Sequence, residues 1–281
     1  MSIPSHQNFL QQYQAFLQGA DLFAHQVQPP FLPFTTTAPA PLSPTVLAQW
    51  PTTISPSLVL GKRVEYFLQY YLEQQPQLQV LTHNLQIIQE KQTIGELDFL
   101  YYNKKEEQHY HLEQVYKFYI YYPTTGRDLE QWIGPNNKDS LVEKMDKLQQ
   151  KQFPLLQHPA TQAKLQELGI STSSILPQLS FKAALFTPWK ESFSSSSSLN
   201  PACWRGYWLT WEAFQQEDWG GAQFYVLDKK DWGIAPLAGV QWLSLPIAAA
   251  QIELWLAKQK APLCWLRTAS GDLLSFFVLW W

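Results

Sequence analysis

The chain has 281 residues, a net charge of −3 and 46% hydrophobic residues, enough length for one large or two modest domains around a sizeable core. Charged residues make up only 15%, below the usual quarter, which excludes a disordered or highly solvated chain. The near-neutral balance also excludes a global attraction to nucleic acid, so any such binding needs a local basic surface.

The N-terminal Met-Ser-Ile-Pro-Ser-His-Gln-Asn has neither the basic nor the apolar region of a signal peptide,. No uninterrupted apolar run approaches the ~20 residues needed to span a bilayer. A cytoplasmic protein with no membrane partner is expected. Asn8 to Leu17 carries Phe9, Leu10, Tyr13, Phe16 and Leu17 at helical spacing,. Prolines at 29, 30, 33, 39, 41, 44, 51 and 56 then break regular structure and predict an extended wrapping segment, with a short helical turn over Thr45 to Trp50,. Leu60 to Gln74 reads as an amphipathic helix stopped by Pro76, with Val64, Phe67, Leu68, Tyr71 and Leu72 inward,. Glu65 lies at the border of that apolar face. Pairing with Lys62 or Arg63 is its plainer account; projecting over the edge of a sheet is the other.

Leu78 to Gln89 reads as a strand leading into a hairpin. Ile94 to Tyr102 and Gln108 to Tyr122 are rich in aromatic and β-branched residues, and Asn103 to Glu107 between them is polar,. Alternation places Glu96 and Asp98 on one face, with Leu97 and Phe99 on the other. In the second strand Glu113, Val115 and Lys117 share a face opposite Leu112, Gln114 and Phe118. Three carboxylates and an ammonium therefore sit near the middle of an otherwise apolar sheet. Buried carboxylates are costly unless paired, hydrogen-bonded or metal-bound, and a divalent cation is the most economical compensation.

Thr124 to Gln131 is a polar loop. Asn137 is a suitable N-cap for a helix from Lys138 to about Gln152, with Leu141, Met145 and Leu148 inward and Lys144, Lys147 and Lys151 along a flank,. Its start, flanked by glycine and Asn136, suits a phosphate, although lysines on an exposed helix face are ordinarily just solvated. Phe153 to Gly169 continues helically, and Thr172 to Pro177 reads as a linker. Aromatic-rich short strands follow at 181–186, 206–211, 223–227, 263–268 and 274–279, with the serine run Ser194 to Ser198 as a loop and a helix over Ile247 to Lys258,. The expected division is 1–56 as N-terminal helix and wrapping segment, 57–178 as core, and 179–281 as a smaller α+β lobe. The lobe's tryptophans are core residues on the plain reading and base-stacking platforms on the other. Cys203 and Cys264 make no disulfide framework or zinc site by themselves and fit a reduced compartment.

A helical Glu, an Asp in one hairpin strand, and a Glu and a Lys in the next form a constellation suited to metal-dependent phosphodiester hydrolysis. Carboxylates hold a hard, partly hydrated Mg²⁺, the ion polarises the phosphate and acidifies water, and a lysine offsets developing charge. His109 and His111, at i and i+2 on the Glu113 face, could pair on a metal but read more simply as surface histidines. The glycines at 220, 221 and 233 make no phosphate loop, and no local signature of a nucleophilic triad is present.

These residues resemble the PD-(D/E)XK, or restriction-endonuclease-like, nuclease superfamily. More closely the chain is similar to the bacterial family called domain of unknown function 1853, on Leu60 to Glu65, Gly95-Glu96-Leu97-Asp98-Phe99-Leu100, His111-Leu112-Glu113 through Lys117 to Tyr119, and Trp132 to Asn136 through Asp139, Leu141, Lys144 and Lys147 to Pro154-Leu155. The resemblance implies a mixed central sheet flanked by helices. It implies Mg²⁺ (or Mn²⁺) held by Asp98 and Glu113 with Glu65 accessory, Lys117 as catalytic lysine, and nucleic acid, DNA first, as substrate. Glu96, Lys144, Lys147 and Asn136 are accessory candidates. One departure stands out. The superfamily's Glu-x-Lys would put the lysine at 115, where this chain has Val115, and four strand residues span ~13 Å against ~7 Å for two. Lys117 must reach back, a β-bulge must shorten the gap, or Lys144 or Lys147 must supply the charge. The alternative is a non-catalytic module of the same fold that binds nucleic acid or a protein, and a plainer one still is a structural ion-pair network.

Overall fold

The computed structural model describes residues 5–23, 31–37, 55, 58–123, 128–171, 174–191, 199–237 and 239–281. The expected turn over 45–50, most of the proline-rich segment and the serine run lie outside these residues. Helix α1 spans Ser5–Gln18 and β1 is the short Leu32–Pro33. Helix α2 (Leu60–Glu73) precedes β2 (Leu78–Gln89), β3 (Gln92–Asn103) and β4 (Gln108–Tyr121). After β5 (Trp132–Ile133) come α3 (Leu141–Lys147) and α4 (Pro159–Glu167). The chain then runs through β6 (Ile175–Pro188), β7 (Trp204–Thr210), α5 (Trp211–Gln216), β8 (Gln223–Val226), α6 (Leu245–Leu256), β9 (Leu263–Arg267) and β10 (Leu273–Leu279).

The protein is α/β, with one large mixed sheet flanked by helices. Strand order is β2-β3-β4-β6-β7-β10-β9-β8, with β1 on β6 and β5 on β4. The β2-β3-β4 meander and the β10-β9-β8 edge are antiparallel, and the centre, β4-β6-β7-β10, is parallel. Parallel strands need cover on both faces, and the sequence supplies it. On one face Phe99, Leu112 and Phe118 pack with Tyr13 and Phe16 of α1 and Phe67 and Leu68 of α2. On the other, Val115 and Tyr119 pack with Leu141 of α3, Leu148 and Phe153. Each such buried side chain stabilises the fold by roughly 1.5–3 kcal/mol relative to exposure. Residue 179, the expected start of a separate lobe, lies inside β6, which pairs with β4 from Ile175 to Phe186.

Three local expectations are corrected. The helix after the loop starts at Leu141, not Lys138. Asn137 adopts a left-handed φ of 49°, and Ser140 is the N-cap, closing a reciprocal capping box with Glu143,. Beyond Lys147 the helix widens into a π turn over Leu148–Gln152, with Phe153 N–H reaching back to the Leu148 carbonyl at 3.0 Å. In β3, Leu97 packs with Leu100, Leu156 and Leu165 while Phe99 joins the opposite cluster, so the alternation expected of Leu97 and Phe99 fails there. Gly95 has no room for a side chain: a Cβ would meet Leu155 Cδ2 at 2.5 Å. Its absence lets the segment 154–157 close onto β3.

A carboxylate fork between two strands

The β3–β4 ladder runs from Asn103–Gln108 to Phe99–Leu112 and no further. Beyond that pair the strands part, and β4 continues against β6, joined by β5 only at Ile120 and Tyr121. Asp98 and Glu113 are the first residues of the two arms. Parting leaves a strand N–H without its ladder partner, a costly state if buried. Asp98 fills the gap: Gln114 N–H donates to its Oδ2 at 2.9 Å. The carboxylate thus stands in for a backbone carbonyl at the apex of the fork.

Glu113 is fully buried. His111 Nε2 lies 2.9 Å from its Oε1, and Gln152 Nε2 donates to its Oε2. Gln152 Oε1 in turn accepts from Lys144 Nζ at 2.8 Å. A chain of contacts therefore runs from His111 through Glu113 and Gln152 to Lys144. The π turn makes it possible, because one extra residue per turn rotates Gln152 onto the side that Lys144 faces. Among the described residues, His111 Nδ1 and Gln114 Oε1 are buried without a hydrogen-bond partner.

The electrostatics converge on Asp98. Burial first, then the adjacent Glu113 carboxylate, push its carboxyl up to about 8, and Glu65 adds to the rise,. The Gln114 N–H and Lys144 pull the other way. Burial lowers Lys144 below the ordinary lysine range, while Glu113 and Asp98 oppose that shift. Lys144 is therefore the ammonium that balances the two acids.

Lys117 does not serve the fork. It bonds to Asp139, and nothing shortens its four-residue separation from Glu113, since β4 pairs with β6 without a break through both residues. Glu65 approaches from α2, on the face opposite the one that Glu113 shares with Val115. Lys62 holds it at 2.7 Å, which is the plainer pairing considered for it. Burial raises its carboxyl, Lys62 opposing and Glu96 adding. Glu96 lies 3.3 Å from Lys62 Nζ and receives Gln86. Asn136 accepts from Ala261 N–H at 2.9 Å and ties its loop to the connection that leads into β9 rather than reaching the fork. Lys147 is exposed beside Lys144. His111 is buried, not a surface histidine, and His109 packs on Tyr102. Gln152 carries no sequence signal of its role, which depends on the π turn, whereas His111 shares the Glu113 face at i, i+2 and differs from expectation only in being buried.

Among the described residues, no group of three or more His, Cys, Asp or Glu is placed to hold a metal. The three-carboxylate convergence expected for Glu65, Asp98 and Glu113 is thus absent. What remains is two carboxyl groups, Asp98 and Glu113, with burial and their mutual repulsion raising the Asp98 carboxyl, and with the partnerless His111 Nδ1 on the ring that contacts Glu113. That donor chemistry fits a divalent ion that keeps several waters.

A family model described as Domain of unknown function (DUF1853) matches residues 12–274. No curated protein and no solved structure matches the chain. No helix among the described residues is long and apolar enough to cross a membrane. The chain belongs to the family called domain of unknown function 1853.

Proposed function

We propose that this member of the family hydrolyses phosphodiester bonds in nucleic acid, DNA first, in the cytoplasm, on a restriction-endonuclease-like core. The observation that carries the reading is the fork: Asp98 and Glu113 brought together where two strands part, with Lys144 opposite. Asp98 and Glu113 would hold Mg²⁺ or Mn²⁺, which when bound supplies Lewis acidity to the phosphate and a more acidic water. The chain's own residues do the rest. Gln114 N–H fixes the Asp98 carboxylate at one oxygen. His111 and Gln152 orient the Glu113 carboxylate. Lys144, kept from excess solvent and coupled to both acids, places positive charge where phosphoryl oxygens gain negative charge,.

One observation favours a second reading. Both Glu113 oxygens are already engaged, so a binding module of the same fold could retain this chain as a structural network. Nicking of supercoiled plasmid in Mg²⁺ separates the two. Wild type nicks and Asp98→Asn does not, while both bind DNA; equal nicking by the two proteins, or none by either, removes the hydrolase.

A further inference from the structure

Beside the fork, two distant parts of the chain bring lysines together. Lys117 is held by Asp139, and Asp139 packs directly over Gly134, where a Cβ would clash with its carboxylate. Lys138 precedes Asp139 and is exposed. The same loop is clamped to the C-terminal region: Asn136 receives Ala261 N–H at 2.9 Å, and Trp281 Nε1 donates to Pro135 O at 3.2 Å. The first clamp sets exposed Lys260 next to the loop. Leu227 N–H donates to Leu263 O at 3.0 Å, which sets the turn carrying Lys229 beside the strand that follows Lys260, and Lys229 lies 5.2 Å above the Trp232 ring.

We propose that Lys117, Lys138, Lys229 and Lys260 form a binding surface for the phosphodiester backbone of nucleic acid, continuous with the carboxylate fork through Lys144 and Lys147. The inference rests on the nuclease reading for its substrate class. Four observations support it. Among the described residues, no carboxylate lies within ion-pair distance of Lys138, Lys229 or Lys260; nearby Asp228 is with Lys230 at 3.4 Å. Lys229 senses the other three. Lys229 is lowered first by loss of water around its ammonium, then by Lys117, Lys260 and Lys138, with only Asp139 opposing. Concentrating like charge costs stability unless a polyanion relieves it. Finally, the separation of Lys117 from Glu113, ~13 Å along β4, is close to four nucleotide steps of ~3.4 Å along one strand of a duplex. A backbone on the lysines would reach the fork within a few nucleotides, and the chain's net charge of −3 makes such a local surface the route to binding.

The test is fluorescence anisotropy of a labelled DNA duplex in EDTA, across a salt series. It compares wild type, a Lys138→Ala/Lys229→Ala/Lys260→Ala variant, and a control with Lys91, Lys105 and Lys164 replaced by alanine. Wild type binds with salt-dependent affinity. The surface variant binds tenfold or more weakly at 0.1 M salt, with its log–log salt slope reduced by about 2–3, close to one for each phosphate no longer neutralised. The control matches wild type. Unchanged affinity and slope in the surface variant, an equal loss in the control, or no binding by wild type overturns the proposal. Failure of the nuclease reading is seen separately: wild type and Asp98→Asn nick plasmid alike while the surface variant still loses DNA binding.

Discussion

At the scale of single residues, Asp98 carries opposing demands. Its Oδ2 substitutes for a strand carbonyl, a role a neutral amide oxygen also fills, whereas its charge is opposed by burial and by Glu113 and Glu65, with Lys144 only partly compensating. A carboxyl whose folded-state pKa lies above its unfolded value binds its proton more tightly when folded. Its contribution to stability is then full below the unfolded value near 4 and is lost as pH rises toward about 8,. Wild type in EDTA should therefore lose Tm between pH 5 and 8 by several degrees more than Asp98→Asn, with the two converging near pH 4. Parallel pH profiles by calorimetry would remove the strained carboxyl. The lysines separate in the same way. Lys144→Ala should lower kcat for plasmid nicking by about 10²-fold, the usual effect of removing one transition-state charge contact. Lys117→Ala should leave kcat within a few-fold, because Lys117 is held by Asp139. The reverse ranking would return the catalytic lysine to β4. The closeness of Asp98 to Glu113 was legible from their place in the hairpin. The lysine was legible only as a choice among Lys117, Lys144 and Lys147, since Val115 breaks the expected spacing, and only the packing of α3 shows that Lys144 lies nearest the acids.

At the scale of elements, the fork and the π turn set the site. Helix α2 and the strands β2, β3 and β4 were readable from periodicity because burial on one side imposes it: Val64, Phe67, Leu68, Tyr71 and Leu72 are all buried. The point where β3 and β4 part leaves no such trace, since the apolar pattern of β4 continues past Leu112 against β6. The π turn is likewise silent. Leu148–Gln152 reads as plain helix, yet its extra residue aims Gln152 at Glu113. Replacing Gln152 with alanine removes the contact that the π turn aims at Glu113. Glu113 then loses a partner, and nicking should fall by tenfold or more while far-UV circular dichroism stays unchanged. Wild-type activity in that variant would mean the π turn has no part in orienting the acid.

At the scale of the whole molecule, one sheet joins segments that the composition shift near 179 suggested were separate. β6 pairs with β4 on one side and β7 on the other, and β10 returns to lie between β7 and β9. Such parallel, non-local pairing is hard to read from local pattern, because strands buried on both faces lose their alternation. The consequence is functional as well as architectural. Glu65, Asp98, Glu113 and Lys144 come from four elements, and only the packing of α2 and α3 on opposite faces decides that two acids meet while the third stays with Lys62. A cation at Asp98 and Glu113 is what the proposed chemistry depends on, and Mn²⁺ titration followed by electron paramagnetic resonance at pH 8 addresses it without any substrate. Wild type should bind Mn²⁺ in a saturable manner, with Mg²⁺ competing, and Asp98→Asn should lose that binding. Identical titrations for the two proteins, or no saturable Mn²⁺ binding by wild type, would contradict it.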